Sequence, residues 1–169
     1  STKSINENTT AVHTFTADET VTWTLNGGAD ASQFSITSAG VLSFASAPDY
    51  ETPAQSGSTA NSYVVVVNAS DGTRSTDQTV TVTVADVDDV APVITGPTGG
   101  AGSSTSTVEI NENSTAVHTF SATDVDTTAD ATWTLNGGAD ASQFSITSAG
   151  VLSFSSAPDY ETPTQTGST

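Results

Sequence analysis

Three observations predict an all-β protein: a tandem Greek-key β-sandwich whose second repeat is truncated. β-Branched residues run through the whole chain, apolar residues alternate with hydroxyl residues in short stretches, and a long segment is repeated almost unchanged. Thr22 to Phe44 returns without a change as Thr132 to Phe154, Ile5-Asn6-Glu7-Asn8 returns as Ile110-Asn111-Glu112-Asn113, and Ser46 to Pro53 returns as Ser156 to Pro163 with its Pro-Asp-Tyr-Glu intact. The second copy carries five extra residues between Ala122 and Thr132. Duplication of this kind builds tandem arrays. The spacing divides the chain into repeat 1 over residues 1–90, lacking the start of its first strand, a connection over 91–107, and the N-terminal part of repeat 2 over 108–169.

Taken in order, the elements of repeat 1 are short strands separated by turn signals. Ala11 to Ala17 reads as one strand. Val21, Trp23 and Leu25 alternate onto a core face, and Asn26-Gly27-Gly28 ends that strand. Phe34 and Ile36, then Leu42 and Phe44, form two strands joined by Ser38-Ala39-Gly40. Tyr63-Val64-Val65-Val66-Val67 is an unbroken apolar run, the pattern of a central strand covered on both faces. Thr79 to Val84 alternates threonine and valine and closes the repeat. In the connection, Ile94 to Thr107 is glycine-rich and reads as a loop, while Pro92-Val93-Ile94 has the β character of a first strand for repeat 2. No stretch has a 3.6-residue apolar period, and repeat 2 has no counterpart of Tyr63–Val67 or Thr79–Val84.

The composition removes several functions. Two Lys/Arg against nineteen Asp/Glu give a net charge of −17, so phosphate backbones and anionic membrane surfaces find no cations here. No nucleic-acid partner is expected. Cysteine and methionine are both absent, which removes thiolate and disulfide chemistry. No apolar run has membrane-spanning length. A chain opening at Ser1, rich in Thr, Ser, Asp and Gly, reads as an excerpt of a longer extracellular or cell-surface protein.

With Lys3 and Arg74 as the only basic residues, most carboxylates must be solvated or bound to metal. They gather at defined places: Glu7 before the Ala11 strand, Asp49 and Glu51 on either side of Tyr50, Asp86, Asp88 and Asp89 between the repeats, and Asp124 and Asp126 early in repeat 2. Same-face spacing brings Asp49 to Glu51 and Asp124 to Asp126. Three carboxylates within four linker positions repel one another. Such a segment is either a solvated acidic linker or a site for a hard cation, and an oxygen-only donor set selects calcium over zinc.

Other candidates read as structural. His13 and His118 have no cysteine or second histidine nearby to complete a zinc site. Trp23 and Trp133 share a face with Leu25 and Leu135, which places them in the core rather than on a sugar-stacking platform. Asp49 and Glu51 could be a glycosidase pair, but a repeat this small shapes no cleft, and an enzyme is not expected. Asp30 falls outside every motif, so its replacement by alanine is expected to do nearly nothing to calcium binding.

Together these motifs resemble cadherin repeats in their bacterial tandem form. Glu7-Asn8 is similar to the family's Glu-Asn; Asp49-Tyr50-Glu51 to its Asp-Arg-Glu, with Tyr for Arg; and Ala69-Ser70-Asp71-Gly72 to its Ala-x-Asp before glycine. Asp86-Val87-Asp88-Asp89-Val90-Ala91-Pro92 resembles the linker Asp-x-Asn-Asp-Asn-x-Pro, with Asp88 and Val90 replacing asparagines, and Asp124-Val125-Asp126 resembles the following Asp-x-Asp. The resemblance implies that Glu7, Asp49, Glu51, Asp86, Asp88, Asp89, Asp124 and Asp126 converge on up to three calcium ions at the junction. The ion nearest repeat 2 would be the weakest, since the counterpart of Asp71 is missing there. Ala17-Asp18-Glu19-Thr20 departs from the Asp-x-Asp pattern, which leaves the upstream site degraded and Asp71 a leftover ligand.

By the same resemblance the chain is a calcium-rigidified stalk segment of a large cell-surface or secreted adhesin serving cell adhesion, homophilic adhesion included. Its partners would be neighbouring repeats in the same chain and other cell-surface proteins or glycans. The competing function is a carbohydrate-binding module of an extracellular enzyme, which an exposed tryptophan platform would favour.

Overall fold

The two longest strands dictate the rest. β-Branched residues at alternate positions make Ser62–Ser70 and Ser75–Ala85 an extended antiparallel hairpin, and its inward residues Tyr63, Val65, Val67, Val80, Val82 and Val84 are buried. The structure, a computed structural model, describes residues 1–57, 59–126 and 131–165. It divides into two compact units, Ser1–Asp88 and Asp89–Thr169.

The described residues of unit 1 form seven strands: β1 Thr2–Asn6, β2 Ala11–Thr14, β3 Thr22–Leu25, β4 Phe34–Ile36, β5 Val41–Phe44, β6 Ser62–Ser70 and β7 Ser75–Ala85. One sheet has the order β1-β7-β6-β3 and the other β2-β5-β4. The core between them contains Val12, Phe34, Leu42 and Phe44 together with the inward face of the hairpin. Tyr63 stands edge-on to Phe44 at 5.0 Å and 88° and to Phe34 at 6.4 Å and 84°. The chain is therefore the all-β sandwich expected.

Several details differ from expectation. Val64 and Val66 are only half-buried, because a strand in a two-sheet sandwich has one inner face and the period-two rule applies even to an unbroken apolar run. The Ala11 strand ends at Thr14; the Phe15 N–H instead donates to the Gly40 carbonyl at 2.9 Å. Thr2–Asn6 forms a full strand parallel to β7, pairing Ile5 with Val84.

Unit 2 contains β8 Val93–Thr95, β9 Ala116–Thr119, β10 Ser121–Thr123, β11 Phe144–Ile146 and β12 Val151–Phe154. β8 pairs with β10, so the proline-led stretch before the glycine-rich loop is a strand, and β11-β12-β9 repeats the β4-β5-β2 sheet. Residues 132–135 repeat the sequence of β3, yet no strand forms there. β3 exists in unit 1 because β6 pairs with it, Trp23 against Ala69 and Leu25 against Val67, and no such partner occurs among the described residues of unit 2. Most of the five-residue expansion, residues 127–130, and the last four residues lie outside the described part of the chain.

Candidate metal centre

Glu7 follows β1 directly, and it is only 2% exposed. Its Oε2 accepts the Tyr50 N–H at 2.8 Å and its Oε1 accepts the Val87 N–H, also at 2.8 Å. The carboxylate thus ties the loop after β5 to the segment leaving β7. Asn8 sustains the turn that exposes it to those donors: its φ of 59° is in the left-handed region that asparagine tolerates, and its N–H donates to the Pro48 carbonyl at 2.9 Å.

Asp49 and Glu51 join Glu7. One carboxylate oxygen from each of the three lies within 4.8 Å of the others. Asp49 and Glu51 are not at the end of a strand, as same-face alternation supposes; β5 stops at Phe44, and a turn brings them together. In that turn Asp49 Oδ1 accepts the Thr52 N–H at 2.8 Å, and hydrogen bonding from the Thr52 side chain and backbone holds the Asp49 carboxyl below its ordinary value. Three carboxyl groups of mixed burial thus meet, in a chain whose only basic residues are Lys3 and Arg74. That arrangement is what a hard divalent cation stabilises.

Asp86 is half-buried just past the end of β7, next to the Val87 N–H held by Glu7, and Asp88 is exposed at the last position of unit 1. Within unit 2, Asp126 is 5% exposed and its Oδ2 accepts the N–H groups of Asp89 at 3.1 Å and Val90 at 2.9 Å. Its Oδ1 is buried without a hydrogen-bond partner. A carboxylate oxygen desolvated and unpaired costs several kcal/mol unless a cation meets it. Half-buried Asp124 accepts the Asp126 N–H at 3.3 Å. The eight residues therefore fall into local groups: Glu7, Asp49 and Glu51 with Asp86 and Asp88 at the same unit's last residues, and Asp89 with Asp124 and Asp126. Their donor set, oxygen alone and mostly anionic, fits calcium.

A second acidic cluster, Glu112, Asp159 and Glu161, has the same geometry in unit 2. Glu112 accepts the Tyr160 N–H at 3.0 Å, Asn113 repeats the left-handed turn at φ 60°, and Asp159 Oδ1 accepts the N–H groups of Glu161 at 2.9 Å and Thr162 at 3.2 Å. All three carboxylates are exposed. Among the described residues Glu112 has no second donor like the one that the chain after β7 gives Glu7. The repetition of Pro-Asp-Tyr-Glu was the signal from which this cluster could have been read.

Asp30 lies outside the acidic clusters but has a structural role that its sequence context does not signal. It is 1% exposed, its Oδ2 accepts the Val64 N–H at 2.8 Å, and its Oδ1 accepts the Ser56 N–H. The turn before it presses so close to β6 that a Cβ on Gly28 would stand 2.5 Å from the Val64 carbonyl oxygen. Asp30 is a structural anchor of the sandwich, so its replacement costs stability, a separate matter from the calcium binding in which it is expected to take no part. Asp71 is used locally: hydrogen bonds from the Arg74 and Thr73 backbones lower its pKa and hold a tight turn.

His13 and His118 stack edge-on against Phe15 and Phe120 and belong to none of the acidic clusters. Trp23 meets Phe15 in a tilted ring contact at 5.6 Å and packs against the buried core.

Neither a family model nor a curated protein sequence matches the chain. Solved structures do. Human protocadherin-24 EC1-2 superposes with a TM-score of 0.64 at 19% identity, over 95% of this chain and 76% of that one. Drosophila N-cadherin EC1-4 gives 0.61 at 14% identity, over 93% of this chain and 39% of that one. Mouse cadherin-23 EC22-24 gives 0.56 at 19% identity, over 95% and 53%. The fold is the β-sandwich of cadherin extracellular domains.

Proposed function

We propose that the chain is a calcium-binding, cadherin-like stalk segment of a large extracellular adhesin, made rigid by calcium at the boundary between its two units. The observation that carries this reading is the Glu7 carboxylate, desolvated, held by two backbone N–H groups and grouped with Asp49 and Glu51. The unpaired, buried Oδ1 of Asp126 supports it from the other unit.

Asp86, Asp88 and Asp89 belong by chain connectivity to the boundary itself, which falls between Asp88 and Asp89. Cations bound by these residues would neutralise the repulsion among them and limit the freedom of the connection. Glu7, Asp49, Glu51 and Asp86 would supply ligands from unit 1, and Asp89, Asp124 and Asp126 from unit 2, with Asp88 between them. The exposed Glu112–Asp159–Glu161 group would serve the next repeat in the same way. Neighbouring repeats are the first partners of such a segment; other surface proteins or glycans would be met elsewhere in the molecule. Trp23, in ring contact with Phe15 and packed on the core, counts against a carbohydrate-binding module.

Isothermal calorimetry of calcium into the EDTA-treated chain tests the reading. Asp89→Ala is expected to weaken binding strongly, while Glu109→Gln, an exposed residue outside every cluster, leaves it unchanged. Equal effects from both would mean diffuse ion attraction and no built site.

A further inference from the structure

Asn61 stands immediately before β6, and it is only 7% exposed. Its φ of 58° lies in the left-handed region, which asparagine tolerates better than most side chains do. The backbone carbonyl accepts the Val84 N–H at 2.9 Å, close to the end of β7. The side-chain Nδ2 donates to the Tyr50 carbonyl at 3.0 Å. Tyr50 is the residue flanked by Asp49 and Glu51, and its own N–H is held by Glu7 Oε2. Asn61 is thus one hydrogen bond from the peptide unit that Tyr50 shares with Glu51, beside the acidic group of Glu7, Asp49 and Glu51.

The other end of the carboxamide is unsatisfied. Asn61 Oδ1 is buried and has no hydrogen-bond partner among the described residues. Exchanging the two ends of the amide gives no relief, because Oδ1 would then face the Tyr50 carbonyl oxygen and Nδ2 would take the empty place. A buried carboxamide oxygen left alone costs free energy, so native structures give it a donor, a water or a cation. The neighbouring group favours the cation. Calcium takes about six to eight oxygens, and asparagine carbonyls are among its ordinary ligands. A neutral oxygen raises the ligand count without adding a fourth charge to three that already repel one another.

We propose that Asn61 is a further ligand of the cation held by Glu7, Asp49 and Glu51, giving it the neutral Oδ1 while Nδ2 stays on the Tyr50 carbonyl. This rests on the calcium reading of that group and adds to it a residue that none of the acidic motifs contains. The two ends of the carboxamide have separate tasks: one fastens the Asp49–Glu51 turn and the other meets the ion. Aspartate at this position keeps the oxygen and loses the donor. Glycine keeps the left-handed backbone and loses both.

The test compares the intact chain with its Asn61→Gly and Asn61→Asp variants by calcium calorimetry and follows the Asn61 side-chain carbonyl by carbon NMR. Glycine adopts the left-handed turn without strain, so Asn61→Gly removes the side chain alone. Its calcium affinity is expected to fall about tenfold or more. Asn61→Asp should bind calcium at least as tightly as the unsubstituted chain, yet unfold in EDTA at lower urea, because the Tyr50 carbonyl loses its donor. In the unsubstituted chain the Asn61 carbonyl resonance should move as calcium saturates. That of Asn68, whose carboxamide donates to Asp77 outside every acidic cluster, should stay. Calcium affinity unchanged in Asn61→Gly, or an Asn61 resonance unmoved at saturation, would overturn the ligand and leave the calcium reading standing. Equal loss of affinity in both variants would overturn it as well, making Asn61 a fastening of the turn and nothing more. A chain that takes up no calcium would overturn the calcium reading itself. Should Asn61→Gly fail to fold, the Asn61 resonance and the Asn61→Asp affinity still decide.

Discussion

The Glu7 carboxylate and the Val87 N–H, eighty positions apart in sequence, meet at 2.8 Å. Glu7 therefore has a structural duty alongside any metal. Glu7→Ala leaves the N–H groups of Val87 and Tyr50 without their acceptor, at about 1–3 kcal/mol for each that stays buried. Urea unfolding of unit 1 in EDTA is expected to show that loss, and calcium affinity should fall with it. Unfolding unchanged within about 0.5 kcal/mol would mean that water replaces the carboxylate at no cost.

Asp30→Ala removes the acceptor for Val64 and Ser56 without touching any acidic cluster. Unit 1 is expected to lose about 2–5 kcal/mol of stability, while the protein that remains folded binds calcium as before. A large drop in calcium affinity at full folding would tie Asp30 to the metal instead.

Acid should act through the turns at Asp49 and Asp159. Hydrogen bonds from the Thr52 side chain and backbone lower the first, and those from Thr162 lower the second, beneath the ordinary value of 3.8. A carboxylate depressed on folding adds stability that is fully present above its unfolded pKa and is lost as pH falls through the folded one. NMR titration should give midpoints below 3.8 for both, and Thr52→Val should raise that of Asp49 alone. A midpoint at or above 3.8 for Asp49 in the intact protein would contradict the hydrogen-bonded turn.

Residues 22–25 and 132–135 have one sequence and two conformations, strand in unit 1 and irregular in unit 2. Amide exchange in the intact chain is expected to be slower at Thr24 than at Thr134 by at least about tenfold, since only Thr24 faces a paired strand, opposite Asn68. Equal protection would mean that local sequence alone forms the strand.

That pair also shows what the sequence could reveal. The sandwich was legible because alternation and repetition are local properties, visible in Thr79–Val84 and in the duplicated Phe34–Phe44 block. Pairing partners are not local. Nothing within Thr132–Leu135 tells that no strand pairs with it among the described residues, and nothing within Thr2–Asn6 announces a parallel partner in β7. The acidic motifs point to Glu7, Asp49 and Glu51, but the turn that joins Asp49 to Glu51 has no period-two signal of its own and mimics strand alternation. Asp30 was hidden for a related reason: its burial follows from the close approach at Gly28, which no periodicity records. Glu112, Asp159 and Glu161 are legible as repeats of Glu7, Asp49 and Glu51.

The central claim, that calcium stiffens the connection between the units, is tested most directly by pulsed dipolar EPR. The chain has no cysteine of its own, so Ser35→Cys and Ser145→Cys place one spin label on an exposed strand position of each unit. Calcium-dependent rigidity predicts a broad distance distribution in EDTA that narrows to a single peak at millimolar calcium, and that stays broad in Asp89→Ala. A distribution of the same width with and without calcium would contradict it.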